Sequence, residues 1–233
     1  MDILRVEGLT KKFGNKLANN NINLTVKRGE IYGLIGKNGA GKTTLMRQMS
    51  GSMKSTSGSI LWGQVDGRFP QLGVSIESNY FNKSLCAFSL LKHYGNSVGN
   101  VTDDEIDSIL RDVGLQEERN KKIAKYSTGM KQKLSIALAL IDNPEFLILD
   151  EPINGLDPSA VREIRELLIK LNIEKNVTMI ISSHIISELS KIASSYGVIV
   201  DGTIVKEVLA DTLADMSEEE KESYFLRLME GMA

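Results

Sequence analysis

Residues 31–44, IYGLIGKNGAGKTT, run from a short apolar segment straight into a loop with glycines at 36, 39 and 41. From Gly36 to Thr43 the spacing fits G-x-x-x-x-G-K-[ST]. Gly36, Gly39 and Gly41 let the backbone aim N–H groups at a phosphate chain, and a helix starting near Lys42 adds its positive end. Lys42 is placed to neutralise β- and γ-phosphates, and Thr43 to offer its hydroxyl to Mg²⁺. Asn38 and Thr44 lie in the same loop and complete the candidate phosphate-binding set. A glycine-rich strand-to-helix turn without ligand is the bland alternative, and the full spacing in this context argues against it.

Further along, FLILD (146–150), VTMIIS (177–182) and YGVIVDG (196–202) are β-rich apolar runs separated by helix-like stretches. Such continuous strands suit a parallel sheet buried on both faces. ILRVEGLT and INLTV near the start alternate instead, as half-exposed antiparallel strands do. The expected fold is an α/β parallel-sheet core with an N-terminal antiparallel β element. Between about 80 and 143 the pattern turns helical, with Thr102 and Glu105 at capping-box spacing. The expectation is one domain over 1–233, with a core from 1–79 and 144–233 and a helical subdomain at 80–143. The acidic C-terminal stretch is amphipathic, and Ser217 with Glu220 repeats the capping box.

The chain has 233 residues, 42% hydrophobic and 25% charged, a globular composition able to bury a substantial core. With a net charge of -2 and scattered basic residues, nothing favours nucleic acid as a partner. One cysteine, Cys86, cannot form an internal disulfide, and no basic-then-apolar leader follows Met1, so the chain reads as intracellular. No apolar run approaches the ~20 residues of a membrane-spanning helix, so membrane work requires another chain.

A phosphate loop needs a carboxylate at a neighbouring strand end, and FLILDEP supplies Asp150 followed by Glu151. Adjacent acids are costly to bring together without a cation; beside Mg²⁺, Asp150 can organise the metal while Glu151 polarises attacking water. Upstream, YSTGMKQKLSIALALID opens a helix on Ser127 and Gly129, a possible anion site and equally an ordinary N-cap.

Together these motifs resemble the nucleotide-binding subunit of ATP-binding cassette (ABC) transporters, a P-loop NTPase with a RecA-like core. GKNGAGKT resembles the Walker A motif, YSTGM the signature, FLILDE the Walker B motif, NGLD the D-loop, and His184 in IISSHI the switch histidine. The resemblance implies a head-to-tail homodimer or heterodimer with two ATPs between the subunits, Ser127 and Gly129 acting in trans. It further implies that His184 contacts the γ-phosphate and that Phe13 stacks on adenine. It places Asp157 at the dimer interface, where before Pro158 it also reads as a helix N-cap. A cytoplasmic location at the inner face of the membrane, through a separately encoded permease, follows from the same likeness.

Two departures narrow the reading. The signature carries Tyr126, Thr128 and Met130, and Glu77 stands where most members carry glutamine. That combination resembles the ATPases of lantibiotic self-protection exporters, which implies export of an antimicrobial peptide or similar amphiphile. Glu77 is therefore expected near the metal and the reacting groups. A soluble ABC ATPase of DNA repair or translation, and a nucleotide-sensing interaction module, are the alternatives.

Overall fold

The structure, a computed structural model, describes residues 1–76, 81–99 and 101–231. Two sheets organise it. The first is three-stranded and antiparallel, in the order β2 (Lys16–Lys27), β1 (Asp2–Phe13), β4 (Ser57–Trp62). The second is six-stranded, in the order β5 (Leu72–Ser75), β6 (Phe146–Asp150), β7 (Thr178–Ser183), β3 (Ile31–Ile35), β8 (Ser195–Val200), β9 (Thr203–Leu209). Its neighbours run parallel except for β9, which pairs antiparallel with β8.

Every residue of β3 is buried, because this sheet separates two cores. Side chains alternate across a strand. Thus Ile31, Ile35, Leu147, Leu149, Met179 and Ile181 enter one core, and Tyr32, Leu34, Phe146, Ile148 and Ile180 the other. The second core also takes Leu4, Val6, Leu9, Ile22, Leu24 and Val26 from the antiparallel sheet, with Leu45 and Met46 from α1 (Lys42–Met49). Trp62 of β4 meets Phe146 edge-on, ring centroids 5.0 Å apart, and ties the sheets together. The first core is covered by α2 (Ala87–Val98), α3 (Asp103–Asp112), α4 (Thr128–Ala139) and α5 (Pro158–Lys175). The short α6 (Ile186–Leu189) and the terminal α7 (Glu218–Met229) complete that side.

Both expected capping boxes form, Thr102 with Glu105 and Ser217 with Glu220. Asp157 caps α5 by accepting from the Ser159 and Ala160 N–H groups, with Pro158 in the first turn. Among the described residues no helix is long and apolar enough to cross a membrane.

Register places the chemistry. Ile35 lies opposite Ser183 and Asp150 opposite Ser182, so β3, β6 and β7 end together on one edge. The loop after β3 leaves the middle of the sheet there, the place where open α/β sheets bind ligands.

Three phenols carry the helical side and the sheet interface. Tyr126 donates to the Glu118 carbonyl at 2.8 Å and Tyr32 to Glu207 Oε1 at 2.9 Å, while Tyr196 reaches the Ala193 carbonyl. Burial pushes Tyr126 and Tyr196 up to about 12, and Tyr32 well above its ordinary value. An unfolded tyrosine ionises near ~10, so these groups add stability that is full below that pH. It is lost as pH rises through about 12. Unfolding midpoints in urea are expected to fall over this range, and Tyr126→Phe is expected to flatten part of the fall.

Candidate functional site

A cavity of about 490 Å³ opens over the loop between β3 and α1. Asn38, Gly39, Gly41, Lys42, Thr43 and Thr44 line it, with Glu151 behind and Phe13 at its outer end. The structure therefore brings together most of the residues singled out from the sequence. Gly41 has φ 107 and stands immediately before α1, where a Cβ would lie 2.4 Å from the Ala18 carbonyl oxygen. Only glycine fits there.

Lys42 is 5% exposed and folded back on the loop. Its ammonium donates to the Gly36 carbonyl at 2.6 Å, lies 3.4 Å from the Lys37 carbonyl and pairs with Glu151 Oε1 at 3.1 Å. Three protein oxygens thus surround the ammonium, two as hydrogen-bond acceptors and one as its ion-pair partner.

Asp150 ends β6 between two hydroxyls. Thr43 Oγ1 donates to Oδ2 at 2.7 Å and Ser182 Oγ to Oδ1 at 2.5 Å. Ser182 Oγ also accepts the Glu151 N–H at 2.9 Å. Glu151 itself has φ 49, a left-handed backbone that costs a non-glycine residue roughly 1–3 kcal/mol. Its second carboxylate oxygen meets His184 Nδ1 at 2.8 Å. A carboxylate oxygen accepts, so Nδ1 turns its hydrogen toward Glu151. Lys42, Glu151 and His184 form one contact chain, and Thr43, Asp150 and Ser182 another beside it.

Phe13 is 48% exposed, with the Lys11 ammonium 5.1 Å from its ring centroid. Lys11 is tethered to the Lys54 carbonyl at 2.7 Å, which leaves the opposite face of the ring as a platform for a flat partner. Lys16, Leu17, Asp201 and Gly202 also line the cavity, and sequence reasoning missed them. Ser182 was missed too, because only its register opposite Asp150 sets it apart from Ser183 beside it.

Other expected residues stand apart. Ser127 caps α4 by accepting the Met130 N–H at 3.2 Å, and Gly129 packs against α5, where a Cβ would lie 2.9 Å from that of Ala160. Neither lines the cavity, nor does Asp157. Glu77 falls outside the described residues; β5, which precedes it, ends at Ser75 beside Leu149.

Ser182→Ala is expected to free Asp150 Oδ1 and the Glu151 N–H together and lower stability by about 1–3 kcal/mol, measured by urea denaturation. A neutral effect would mean that the Glu151 turn is held without it.

Known proteins resemble this chain in sequence and in fold. Residues 19–154 match the family model described as ABC transporter. The bacitracin transport ATP-binding protein BcrA of Enterococcus faecalis is 42% identical over 212 residues, 88% of this chain and 69% of that one. The lantibiotic transport ATP-binding protein SrtF of Streptococcus pyogenes is 38% identical over 221 residues, 93% of this chain and 95% of that one. Among solved structures, a nucleotide-free ATP-binding cassette from an ABC transporter superposes with a TM-score of 0.81 at 22% identity, covering 94% of this chain and 98% of that one. The chain belongs to the ABC transporter family, as one of its ATP-binding subunits.

Proposed function

We propose that this ATPase, working with Mg²⁺ and as a dimer, drives a separately encoded membrane permease that exports bacitracin- or lantibiotic-like peptides. The observation that carries the catalytic part is the contact chain from Lys42 through Glu151 to His184 beside Thr43 and Asp150.

The donor set suits Mg²⁺. Thr43 Oγ1 and Asp150 Oδ2 are hard oxygens 2.7 Å apart at the mouth of α1. Among the described residues no group of three or more His, Cys, Asp or Glu gathers into a complete cage. Mg²⁺ bound with few protein ligands, its shell completed by substrate phosphates and water, fits that pattern. Thr43 and Asp150 would hold it, and when bound it neutralises charge on the phosphate oxygens.

The chain's own groups do the rest. The triphosphate competes with Glu151 for the Lys42 ammonium. As Lys42 turns to phosphate, Glu151 keeps its hydrogen bond to His184 and gains an oxygen for the attacking water. Ser182 holds the Glu151 backbone while this happens. His184 Nδ1 orients the carboxylate, and its other nitrogen, when it carries a hydrogen, would donate to the γ-phosphate. Phe13 supplies the stacking face for the base. Glu77 is retained, from the sequence, as a candidate for the metal side.

The placement of Ser127 and Gly129 away from the cavity of their own chain supports head-to-tail pairing, in which each signature completes the partner's site. Asp157, at the neighbouring start of α5, then lies on the same face.

Permease docking is supported by a groove of about 400 Å³ between the edge strand β5 and helices α2 and α4. Val74, Tyr94 and Val98 line it and are 37%, 49% and 49% exposed. An apolar permease segment would cover them, and through it the chain would sit at the inner membrane face. The peptide reading is supported by the named functions of the relatives. They favour neither a repair or translation ATPase nor a sensing module.

Glu151→Gln is expected to abolish Mg²⁺-dependent turnover by about 10²-fold or more while ATP binding persists. Equal rates for the two proteins would sink the hydrolytic role of Glu151. Tyr94→Glu is expected to spare turnover of the isolated subunit and to remove the peptide tolerance conferred with its permease. Tolerance that never rises with the wild-type pair would overturn the substrate assignment.

A further inference from the structure

The cavity is built from two sheets that share no ladder. Phe13, Leu17 and Ala18 come from the antiparallel sheet, while Lys42, Thr43 and Thr44 follow the central strand β3. Something must fix one against the other to ångström precision, and one side chain stands in the place to do it.

Asn19 follows Leu17 and Ala18 on β2 and is fully buried, at 0% exposure, beside a core of Ile22, Leu45 and Met46. Its Nδ2 donates to the Gly41 carbonyl at 3.1 Å, and its Oδ1 accepts from Gln48 Nε2 at 2.7 Å. Gln48, 2% exposed, reaches the Thr44 carbonyl at 3.3 Å with the same nitrogen. These bonds fix both amides without ambiguity. A carbonyl only accepts, so the Gln48 atom facing Thr44 is the NH₂ group, Asn19 meets it with oxygen, and nitrogen is left for Gly41.

We propose that Asn19 is a positioning residue that sets the Gly41–Lys42 peptide for phosphate binding. In a planar trans peptide the carbonyl and the following N–H point in opposite directions. The Gly41 oxygen is drawn toward β2 by Asn19 while it also accepts the Leu45 N–H at 2.9 Å. The Lys42 N–H, one of the first-turn donors with no partner inside the helix, is thereby turned the other way, toward the phosphates. Gly41, with φ 107, has the backbone freedom to flip that peptide, so an external restraint matters. Backbone bonds brace the same spot: Asn20 N–H donates to the Gly202 carbonyl at 2.8 Å, and Gly202 N–H to the Ala40 carbonyl at 2.9 Å. Of the bonds that come from β2, only that of Asn19 ends on the carbonyl of the peptide that must not turn, where the helix's own Leu45 N–H is its one companion.

The inference rests on the nucleotide reading above, and the test separates the two. ADP with Mg²⁺ is titrated calorimetrically into wild type, Asn19→Leu and Asn19→Asp, each well below its own melting midpoint. Absence of binding to wild type would sink the nucleotide reading itself. If wild type binds, Asn19→Leu is expected to weaken ADP by about tenfold, the worth of one buried hydrogen bond, at every pH. Asn19→Asp retains the Gln48 contact and turns an acceptor on Gly41 when ionised, but donates again when protonated, and burial raises its pKa. Its deficit relative to wild type is therefore expected at about pH 8 and expected to shrink at about pH 6. A purely structural role moves stability without that pH-dependent recovery. Wild-type affinity in Asn19→Leu, or a deficit in Asn19→Asp equal at both pH values, would overturn the proposal.

Discussion

The Asp150 carboxylate, gripped from opposite sides by Thr43 and Ser182, is the constraint on which the rest of the molecule turns. The two hydroxyls come from a helix and from a strand that meet nowhere else in sequence. Their shared acid holds the end of β6 level with the loop after β3. Without that agreement the Lys42 ammonium and the Glu151 carboxylate would not face each other at 3.1 Å. The register of three parallel strands is in this sense a property of the site as much as of the sheet, because a slip of one residue would reverse every side chain.

The local devices were legible in the sequence. The glycine spacing announced the loop, and Asp150 at the end of FLILD announced the strand-end acid. The two Ser/Thr-to-Glu boxes and the Asp157–Pro158 pair announced helix starts. Each depends on neighbours within a few residues, where backbone geometry and hydrogen-bond reach leave few options. The alternation of β1 and β2 against the unbroken apolar runs of β3, β6 and β7 separated the half-exposed sheet from the buried one for the same reason.

What could not be read is whatever depends on register between distant segments. Ser182 sits in a pair of serines, and only its place opposite Asp150 gives it a role. Asn19 is the first of three consecutive asparagines, and nothing in that run distinguishes the buried one from its two exposed neighbours. The left-handed backbone of Glu151 is likewise invisible, since glutamate carries no preference for it. Non-local hydrogen bonds made these residues functional candidates, and a one-dimensional pattern carries no record of them.

The outward setting of Ser127 has a kinetic consequence. If each pocket is finished only by another molecule's α4, the free subunit in dilute solution is limited by encounters, so its specific rate depends on its own concentration. Tethered side by side on a permease, two subunits meet at a local concentration that no longer depends on the bulk, and the second-order step becomes a first-order one. The same geometry that leaves one chain idle would make the assembled pair insensitive to how many copies the cell holds.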